Sequence, residues 1–433
     1  MITTRLVRVN GRRGIAAALL CVCVVGCGSR NVPREAVAPV AATTSTAEAS
    51  KPSSPPQTTS RLRVQPENPT LRPEETGIQL LAWEFLDEPA EVARDRSSTV
   101  VWSAEPAGVV AISANGYVQP VQAPSETIQV RVRAFDADRN AMAETTLTIP
   151  ARIERSWSFA DDVTPILTRF GCNLGGCHGK SDGQNGFHLS FLGYDPEGDY
   201  LALTRDQAER RINRLDPEAS LLLLKATGQT PHQGGQRFAV GSTPYRTILD
   251  WIQDGAPERQ GAVASELVDV VVEPPSVFLD GPGRQQLRVL ARDRSGQTRD
   301  VTRLASFRTL DDSAAIVDEL GSAQLLKRAE TDLIVRYGSF VVPVRVAAPM
   351  NPDSTFEAAR FDPKNEIDRR LFKRLAHLKV PPSPPAPDAV FLRRVMLDLT
   401  GQQPSPDQIR EYCRDTNPEK RAEHILRNML YGC

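Results

Sequence analysis

The feature that most constrains this chain is the stretch Phe170–Gly179, FGCNLGGCHG, in which a histidine directly follows the second of two cysteines. Covalent haem sites usually have the spacing C-x-x-C-H, whereas the spacing here is C-x-x-x-x-C-H. The pattern predicts that Cys172 and Cys177 form thioethers to the haem vinyl groups and that His178 is the proximal iron ligand. We expect the two glycines between the cysteines, at positions 175 and 176, to accommodate the longer spacing, because glycine adopts positive φ and allows close backbone approach.

Two other interpretations of the same residues remain open. One is a structural disulfide between Cys172 and Cys177 in an exported protein, in which His178 has no role. The other is a zinc site, which needs four ligands, and the further candidates nearby are only His188 and His232. Haem is favoured over both, because the histidine occupies the position that it has in the C-x-x-C-H signal.

The N-terminus has the pattern of an export signal. Four arginines precede an apolar run from Ile15 to Val25, which is too short to span a bilayer as a stable helix. The run ends in Val24-Val25-Gly26-Cys27, which resembles the lipobox of bacterial lipoproteins. This resemblance implies that residues 1–26 are removed and that Cys27 carries the lipid, and an ordinary secretory signal is the alternative.

Composition bounds the remainder of the chain. Residues 27–60 are rich in Ala, Thr, Ser and Pro and predict a flexible tether. The 433 residues predict two to four domains, and 52 Lys and Arg against 53 Asp and Glu give no indication of nucleic-acid binding. Few cysteines remain after signal removal, so the chain is not a disulfide scaffold.

Residues 61–151 have the pattern of a β domain. Apolar and polar residues alternate from Ile128 to Ala134, as in a strand with one buried face. Asn115-Gly116 predicts a hairpin, and Trp102 is expected in the core. The stretches W-S-x-x-P and V-x-I-x-x-N-G-x-V resemble those of the group 2 bacterial immunoglobulin-like fold, which implies a β-sandwich.

A second copy of this pattern occupies residues 264–348. Ile316-Val317 and Gly321 stand where the first copy has Val110 to Gly116, and Leu333 to Tyr337 alternate as a late strand. Val301-Thr302 are expected to open a strand. Such sandwiches are generic spacers, and neither copy has an aromatic platform or a ligand cluster that would indicate adhesion.

Between the two copies, residues 156–258 have a helical pattern. Asp161 and Asp162 are available to cap a helix that ends at Gly171 and leads into the cysteine motif. A second helical stretch, Tyr245–Trp251, is followed by a stop at 254–257. Cytochromes c have the same order, with a first helix leading into the cysteines and a closing helix that crosses it.

This segment resembles the planctomycete-type cytochrome c-like domain, whose pattern includes the wider cysteine spacing. The resemblance implies an all-α domain that binds haem c. It extends over about a hundred residues and rests on these motifs: FADDVTPIL, GCN, CHG, Gly186-Phe187, LGYDPE, Pro217-Glu218, SLLLLK, PHQGG, Trp251-Ile252 and Gly255-Ala256-Pro257.

A second axial ligand is expected from histidine, since no methionine lies in this segment. His232 in the turn PHQGG is favoured over His188, which alternates with apolar neighbours, and five-coordinate iron is a third option. Arginines 210, 211 and 237 are candidate partners of the haem propionates, with solvated surface charge as the alternative. No acid–base pair, nucleophile triad or phosphate loop is present, so an electron carrier is favoured over an enzyme.

Residues 362–433 predict a partial helical domain. Asn365 can cap a helix with Ile367, Leu371, Leu375 and Leu378 on one face. The pattern is similar to the start of the domain of unknown function that commonly follows such cytochrome-like and immunoglobulin-like modules, and we expect a truncated domain. The remaining candidate ligands are better explained as incidental: Cys413, Cys433, His377 and His424.

The sequence therefore predicts a multidomain protein, with all-β immunoglobulin-like sandwiches flanking an all-α cytochrome c-like domain and a partial helical domain after them. The predicted function is single-electron transfer through one haem c. The protein would be a lipoprotein of the cell envelope, facing the periplasm or the exterior, with unidentified redox partners and no nucleic-acid partner. The alternative is a surface adhesion or scaffold protein with a Cys172–Cys177 disulfide and no haem.

Overall fold

The computed structural model describes residues 60–71, 75–86, 93–122, 124–151, 156–260, 266–354, 363 and 365–431. The predicted signal peptide, the lipidated Cys27, nearly all of the tether and Cys433 lie outside the described residues. None of the helices in the described ranges combines the length and the apolar character needed to cross a membrane.

The first β domain consists of three small antiparallel sheets. Their strand orders are β1-β3-β4, β2-β7-β6 and β5-β8-β9, where the strands are β1 Ser60–Gln65, β2 Ile78–Gln79, β3 Leu81–Leu86, β4 Ala93–Asp95, β5 Val101–Glu105, β6 Val110–Ile112, β7 Tyr117–Pro120, β8 Ile128–Asp136 and β9 Ala141–Ile149. Alternate residues of β8 are buried, as its sequence pattern predicts. Trp102 is only half-buried at the edge of the core, with its indole N–H donated to Ser97 O at 2.9 Å, and Trp83 is the buried tryptophan.

The second β domain repeats this topology. Its sheets are β10-β13-β14, β12-β17-β16 and β15-β18-β19, with β11 added parallel to β19, where the strands are β10 Leu267–Glu273, β11 Ser276–Phe278, β12 Gly283–Gln286, β13 Arg288–Asp293, β14 Thr298–Asp300, β15 Ser306–Thr309, β16 Ala315–Val317, β17 Ser322–Leu325, β18 Glu330–Tyr337 and β19 Phe340–Ala347. The predicted pair of all-β immunoglobulin-like regions is thus confirmed as two domains of small antiparallel sheets.

Equivalent turns of the two β domains share a glycine in the left-handed region, Gly116 with φ +84° and Gly321 with φ +80°. One expectation about the repeat was wrong. Val301-Thr302 do not open a strand, because β14 ends at Asp300 and the Thr302 hydroxyl then accepts the Val289 N–H at 2.8 Å, which turns the chain out of the sheet.

The two β domains pack against each other with approximate two-fold symmetry. The N–H of Gln79 donates to Asp300 Oδ2 at 2.9 Å, and the equivalent N–H of Gln286 donates to Asp95 Oδ2 at 2.5 Å. We call these four residues the paired interface. In each domain the glutamine side-chain amide also donates to two backbone carbonyls of its own domain. The β domains are therefore in direct contact and do not act as separate spacers.

The central segment is helical, with α1 Thr164–Arg169, α2 Pro196–Thr204, α3 Leu221–Ala226 and α4 Thr243–Gln253. A π-helical turn, Phe159–Val163, precedes α1, and its cap is Ser158, whose hydroxyl accepts the Asp161 N–H at 3.3 Å. Asp161 and Asp162 were expected to cap this helix, and this was wrong, because Ser158 is the cap. The Asp162 carboxylate instead accepts the N–H of Ser158 at 2.8 Å.

The first and last helices of the central segment share one core. The ring centres of Phe159 and Trp251 lie 5.5 Å apart, and both rings are almost fully buried. The chain enters and leaves this segment at one place, since Phe159 N–H donates to Glu258 O at 2.8 Å and Gln260 N–H donates to Trp157 O at 2.7 Å. Such closely spaced ends suit a domain inserted between two others.

The central segment also contacts the second β domain. Arg299 of β14 forms an ion pair with Asp162 at 3.1 Å, and the Tyr337 hydroxyl donates to Asp161 O at 2.6 Å. Arg169, the last residue of α1, donates to the carbonyls of Ala305 and Glu319. These bonds fix the helix that leads into the cysteine motif against a β domain.

The C-terminal region is helical, as predicted, with α5 Glu366–His377, α6 Asp388–Thr400, α7 Pro406–Arg414 and α8 Lys420–Tyr431. Asn365 caps α5 through its side-chain oxygen, which accepts the Asp368 N–H at 2.8 Å. The predicted apolar face of α5 is largely exposed, with Ile367 at 76% and Leu371 at 48%, whereas Leu378 just after the helix is buried.

Candidate functional site

The end of α1 determines where the cysteine motif begins. Gly171 follows the helix with φ +74°, its N–H donates to Thr168 O at 3.1 Å, and the Cys172 N–H donates to Leu167 O at 2.8 Å. This pair of bonds is a Schellman motif, which needs a left-handed residue at the position of Gly171. The predicted helix end at Gly171 is therefore confirmed, and the turn places Cys172 directly after the helix.

The cysteine motif folds back on itself. His178 is fixed by both of its backbone groups, because its N–H donates to Cys172 O at 2.9 Å and its carbonyl accepts the Leu189 N–H at 2.9 Å. The Cys177 N–H donates to Leu174 O at 2.9 Å. The longer cysteine spacing is thus folded as two hydrogen-bonded turns.

The expected role of Gly175 and Gly176 was wrong. Neither is among the glycines with positive φ, and a Cβ on Gly176 would meet nothing within 4 Å. The constrained glycines are those on either side of the cysteines. Gly171 has positive φ, and a Cβ on Gly179 would overlap the backbone carbonyl oxygen of Asn173.

A cavity of about 240 Å³ adjoins the motif. It brings together the predicted haem residues, namely Cys172, Cys177, His178 and His232. Their positions in the sequence span sixty residues, so the tertiary structure assembles them. His188 does not line the cavity and is exposed, in an extended stretch after an isolated bridge between Gln184 and Phe187. Of the two candidate distal histidines, His232 thus lies at the cavity and His188 lies away from it, and the ligand role of His232 stays a prediction.

The cavity wall is apolar and its rim is cationic. The wall is formed by Leu167, Phe187, Leu189, Leu203, Leu221, Leu222 and Ala226, and the cations are Arg210, Arg211, Lys225 and Arg237. No carboxylate is among the described residues that line the cavity. An apolar slot with a positive rim suits an apolar ligand that carries negative groups at one edge.

The two histidines face the cavity in related orientations. The imidazole rings of His178 and His232 are parallel within 7°, with 6.3 Å between their centres. Nδ1 of His178 is 3.0 Å from Phe187 O, and Nδ1 of His232 is 2.9 Å from Gly235 O. A carbonyl can only accept, so both Nδ1 atoms carry the proton and both Nε2 atoms present a lone pair.

Burial sets the protonation of the motif. It lowers the pKa of His178 below its ordinary value, so the imidazole is neutral at neutral pH. Burial also raises the pKa of the Cys172 thiol to about 11. Arg237 donates to Cys177 Sγ at 3.3 Å, so the second cysteine lies beside a cation. A neutral imidazole is the form of histidine that binds a metal.

The three arginines differ in their surroundings. Arg211 is buried, its guanidinium donates to the carbonyls of Ala202, Asp206 and Gly186, and it lies 4.4 Å above the Phe187 ring. The alternative that the arginine is a solvated surface charge is therefore wrong for Arg211, whose side chain forms part of the pocket. Arg210 is exposed at the rim, and Arg237 is half-buried.

The two alternatives to haem, a disulfide and a zinc site, involve the same residues. Cys172 and Cys177 are free thiols in the structure. Within the described ranges, no group of three or more His, Cys, Asp or Glu side chains is placed to hold a metal ion.

Phe187 is a site residue that sequence reasoning missed. Its carbonyl accepts from His178, and its ring lies 4.6 Å from the His178 ring. The sequence signal for Phe187 is the pair Gly186-Phe187, one of the motifs that carry the family resemblance.

A family model supports the prediction made for the C-terminal region. The family described as PSCyt2, protein of unknown function (DUF1549), matches residues 366–432. This confirms the predicted domain of unknown function there. No curated protein matches the chain.

The solved structures that this chain matches include an S-layer protein, a domain of intimin and a cadherin. The S-layer protein rSbsC(31-844) has 8% identity and a TM-score of 0.18, covering 67% of this chain, which spans only 28% of that protein. The D00-D0 domain of intimin has 10% identity and a TM-score of 0.14, covering 67% of this chain and 99% of that one. Drosophila N-cadherin EC1-4 has 10% identity and a TM-score of 0.15, and the match covers 66% of this chain and 49% of that one. Likeness at this level gives no information about binding or activity, and the cytochrome c-like assignment of the central segment stays a prediction.

Proposed function

We propose that this chain is a c-type haem protein of the cell envelope that transfers single electrons. Cys172 and Cys177 would hold the haem covalently, with His178 and His232 as its axial ligands. The observation that carries the proposal is the pair of parallel imidazoles in one cavity with both cysteines. Each imidazole has its Nδ1 proton bonded to a backbone carbonyl, which is the usual support of a metal-binding histidine.

The spacing of the two rings supports this assignment. A group held by two histidines needs both side chains on one cavity and close to each other, and the two imidazoles would supply its nitrogen ligands. The observed separation is 6.3 Å with nearly parallel planes.

The residues that line the cavity also support the proposal. Haem is an apolar macrocycle with two propionates on one edge, and this cavity has an apolar wall with four cations around it. Arg210 is exposed and would be free to pair with a propionate, whereas the Arg211 guanidinium already donates to three carbonyls. We assign the propionate contact to Arg210 and pocket shaping to Arg211.

Haem would supply the one-electron redox chemistry, and the chain would supply its ligands and surroundings. His178 is fixed in position by its neighbour Cys177 and by its own backbone bonds. Two histidine ligands give a lower reduction potential than a histidine and a methionine, because methionine raises it. We therefore expect a low-potential electron carrier that exchanges electrons with other redox proteins.

Lipid at Cys27 and the tether at 27–60 would hold this domain near a membrane of the envelope. The sequence pattern alone supports this part of the proposal.

The first test is an absorption spectrum and a denaturing haem stain. The full chain would be made in a host with cytochrome c maturation, beside the double variant Cys172→Ala, Cys177→Ala and the matched control Cys413→Ala, an exposed cysteine elsewhere. We expect a Soret band and stained haem in the wild type and the control, and no covalent haem in the double variant. A colourless wild type with a disulfide between Cys172 and Cys177 would overturn the proposal and support the scaffold alternative.

His232→Ala tests the distal ligand, with His188→Ala as its control. We expect the His232 variant to change from a low-spin to a high-spin spectrum in the reduced protein. The His188 variant should keep the wild-type spectrum, because that side chain does not line the cavity.

A further inference from the structure

The two histidines of the site are held very differently. His178 lies in the folded cysteine motif, where its N–H and its carbonyl are both bonded to neighbouring backbone. It is also adjacent to Cys177, which would be covalently attached. This side chain has little freedom to leave the cavity.

His232 lies at the tip of a loop that runs from Gly228 to Gln236. The loop is closed at its base, because the N–H of Arg237 donates to Ala226 O at 2.7 Å. Near the two ends, Gly228 and Gly235 have φ of +74° and +71°. Gly228 precedes the tip, and in this conformation glycine can bend without steric cost, whereas Gly235 belongs to the tip itself.

The tip itself is bonded mainly to itself. His232 Nδ1 donates to Gly235 O, and the Gly235 N–H donates to His232 O at 2.9 Å. The tip is joined to its surroundings at its two ends, where Lys225 Nζ donates to Pro231 O at 2.5 Å and Gln236 Nε2 donates to Phe238 O at 3.3 Å. Just before the tip, the Thr230 N–H donates to Leu224 O at 3.2 Å and holds the loop to α3. A segment with exposed backbone and few external bonds opens at low free-energy cost.

We propose that the tip, residues 231–236, swings away from the cavity with His232, so that His232 is an exchangeable ligand and the site binds a small uncharged diatomic molecule in its place. This inference rests on the proposed haem function. The imidazole and the tip would move as one unit, because the Nδ1 bond joins them. His178 would stay in position.

The chemistry of the exposed position selects the ligand class. The loop follows directly after α3, whose Leu221, Leu222 and Ala226 line the cavity. Apolar side chains there accept a small diatomic molecule, which has no hydrogen-bonding group that must stay paired. Only the fraction of molecules with the tip open would bind, so the apparent affinity is the intrinsic affinity reduced by that fraction.

The experiment mixes the reduced full-length holoprotein with carbon monoxide and follows the Soret band. In the wild type we expect the observed rate to reach a plateau at high carbon monoxide concentration, because departure of His232 then limits it. In His232→Ala the rate should rise in proportion to concentration without a plateau. His188→Ala should behave as the wild type.

A second variant tests the loop rather than the ligand. Lys225→Met removes the bond to Pro231 O while keeping a long apolar stem. The loss of one hydrogen bond predicts a plateau rate about fivefold higher than in the wild type. This arm remains informative if His232→Ala fails to retain haem.

The outcomes separate this inference from the proposed function. A protein with covalent haem whose spectrum does not respond to carbon monoxide, or whose rate rises linearly with His232 present, overturns the exchangeable ligand and leaves electron transfer intact. A protein without a Soret band overturns both.

Discussion

Single residues set the geometry of the cysteine motif, and the most constrained of them is Gly171. It has φ +74° at the end of α1, where the Schellman motif needs a left-handed residue. Gly171→Ala is therefore expected to cost about 1–2 kcal/mol in the free energy of unfolding, measured by urea titration. Gly176→Ala is the matched control, since that position has neither positive φ nor a close neighbour. Equal losses in the two variants would contradict the assignment.

His424 gives the C-terminal helices a pH dependence. Burial lowers its pKa below the ordinary 6.5, and Arg427 on the same helix adds to the effect, while Tyr412 faces the ring at 5.3 Å. The folded state thus binds fewer protons than the unfolded state, so stability rises with pH through this range and is lost as the pH falls below about 6.5. Amide-exchange protection of α8, corrected for intrinsic rates, should decrease between pH 7 and pH 5. His424→Gln should remove that change, and a variant with the same decrease would contradict the assignment.

At the scale of elements, α4 shows what holds the central segment together. Its apolar residues recur at helical spacing, and Ile248, Trp251 and Ile252 are completely buried. The substitution Ile248→Ala leaves a cavity and should lower the free energy of unfolding by about 2–5 kcal/mol. Leu215→Ala, at a side chain that is 99% exposed, should be close to neutral in the same urea titration. A neutral Ile248 variant would show that α4 does not share the core.

At the scale of the whole molecule, the paired interface makes the two β domains one structural unit. Asp300 is buried and Asp95 is half-buried, and they accept the backbone N–H groups of Gln79 and Gln286 in the opposite domain. Asp300→Ala should speed amide exchange of Gln79 by roughly 10- to 100-fold, because its donor loses a buried partner, and Asp95→Ala should do the same at Gln286.

The matched control for the interface is Asp280→Ala. Asp280 also joins the two β domains, through a 2.8 Å ion pair with Arg94, but its side chain is 72% exposed. Exposed ion pairs contribute little, so this variant should leave both glutamine amides unchanged. If the Gln79 and Gln286 amides exchange as fast in Asp280→Ala as in the Asp300 and Asp95 variants, the effect does not depend on the paired interface.

The local features of this protein can be predicted from its sequence. The alternation in β8, the asparagine cap of α5, the helix end at Gly171 and the equivalence of Gly116 and Gly321 each depend on a few consecutive residues, and local steric and hydrogen-bonding rules decide them. Only the tertiary structure decided which glycines constrain the motif, that Arg211 is buried, that Phe187 orients His178 and that the β domains pair. These depend on contacts between residues far apart in the chain. For the same reason, the sequence could name His178 and His232 separately, but only the fold could place their imidazoles parallel and 6.3 Å apart.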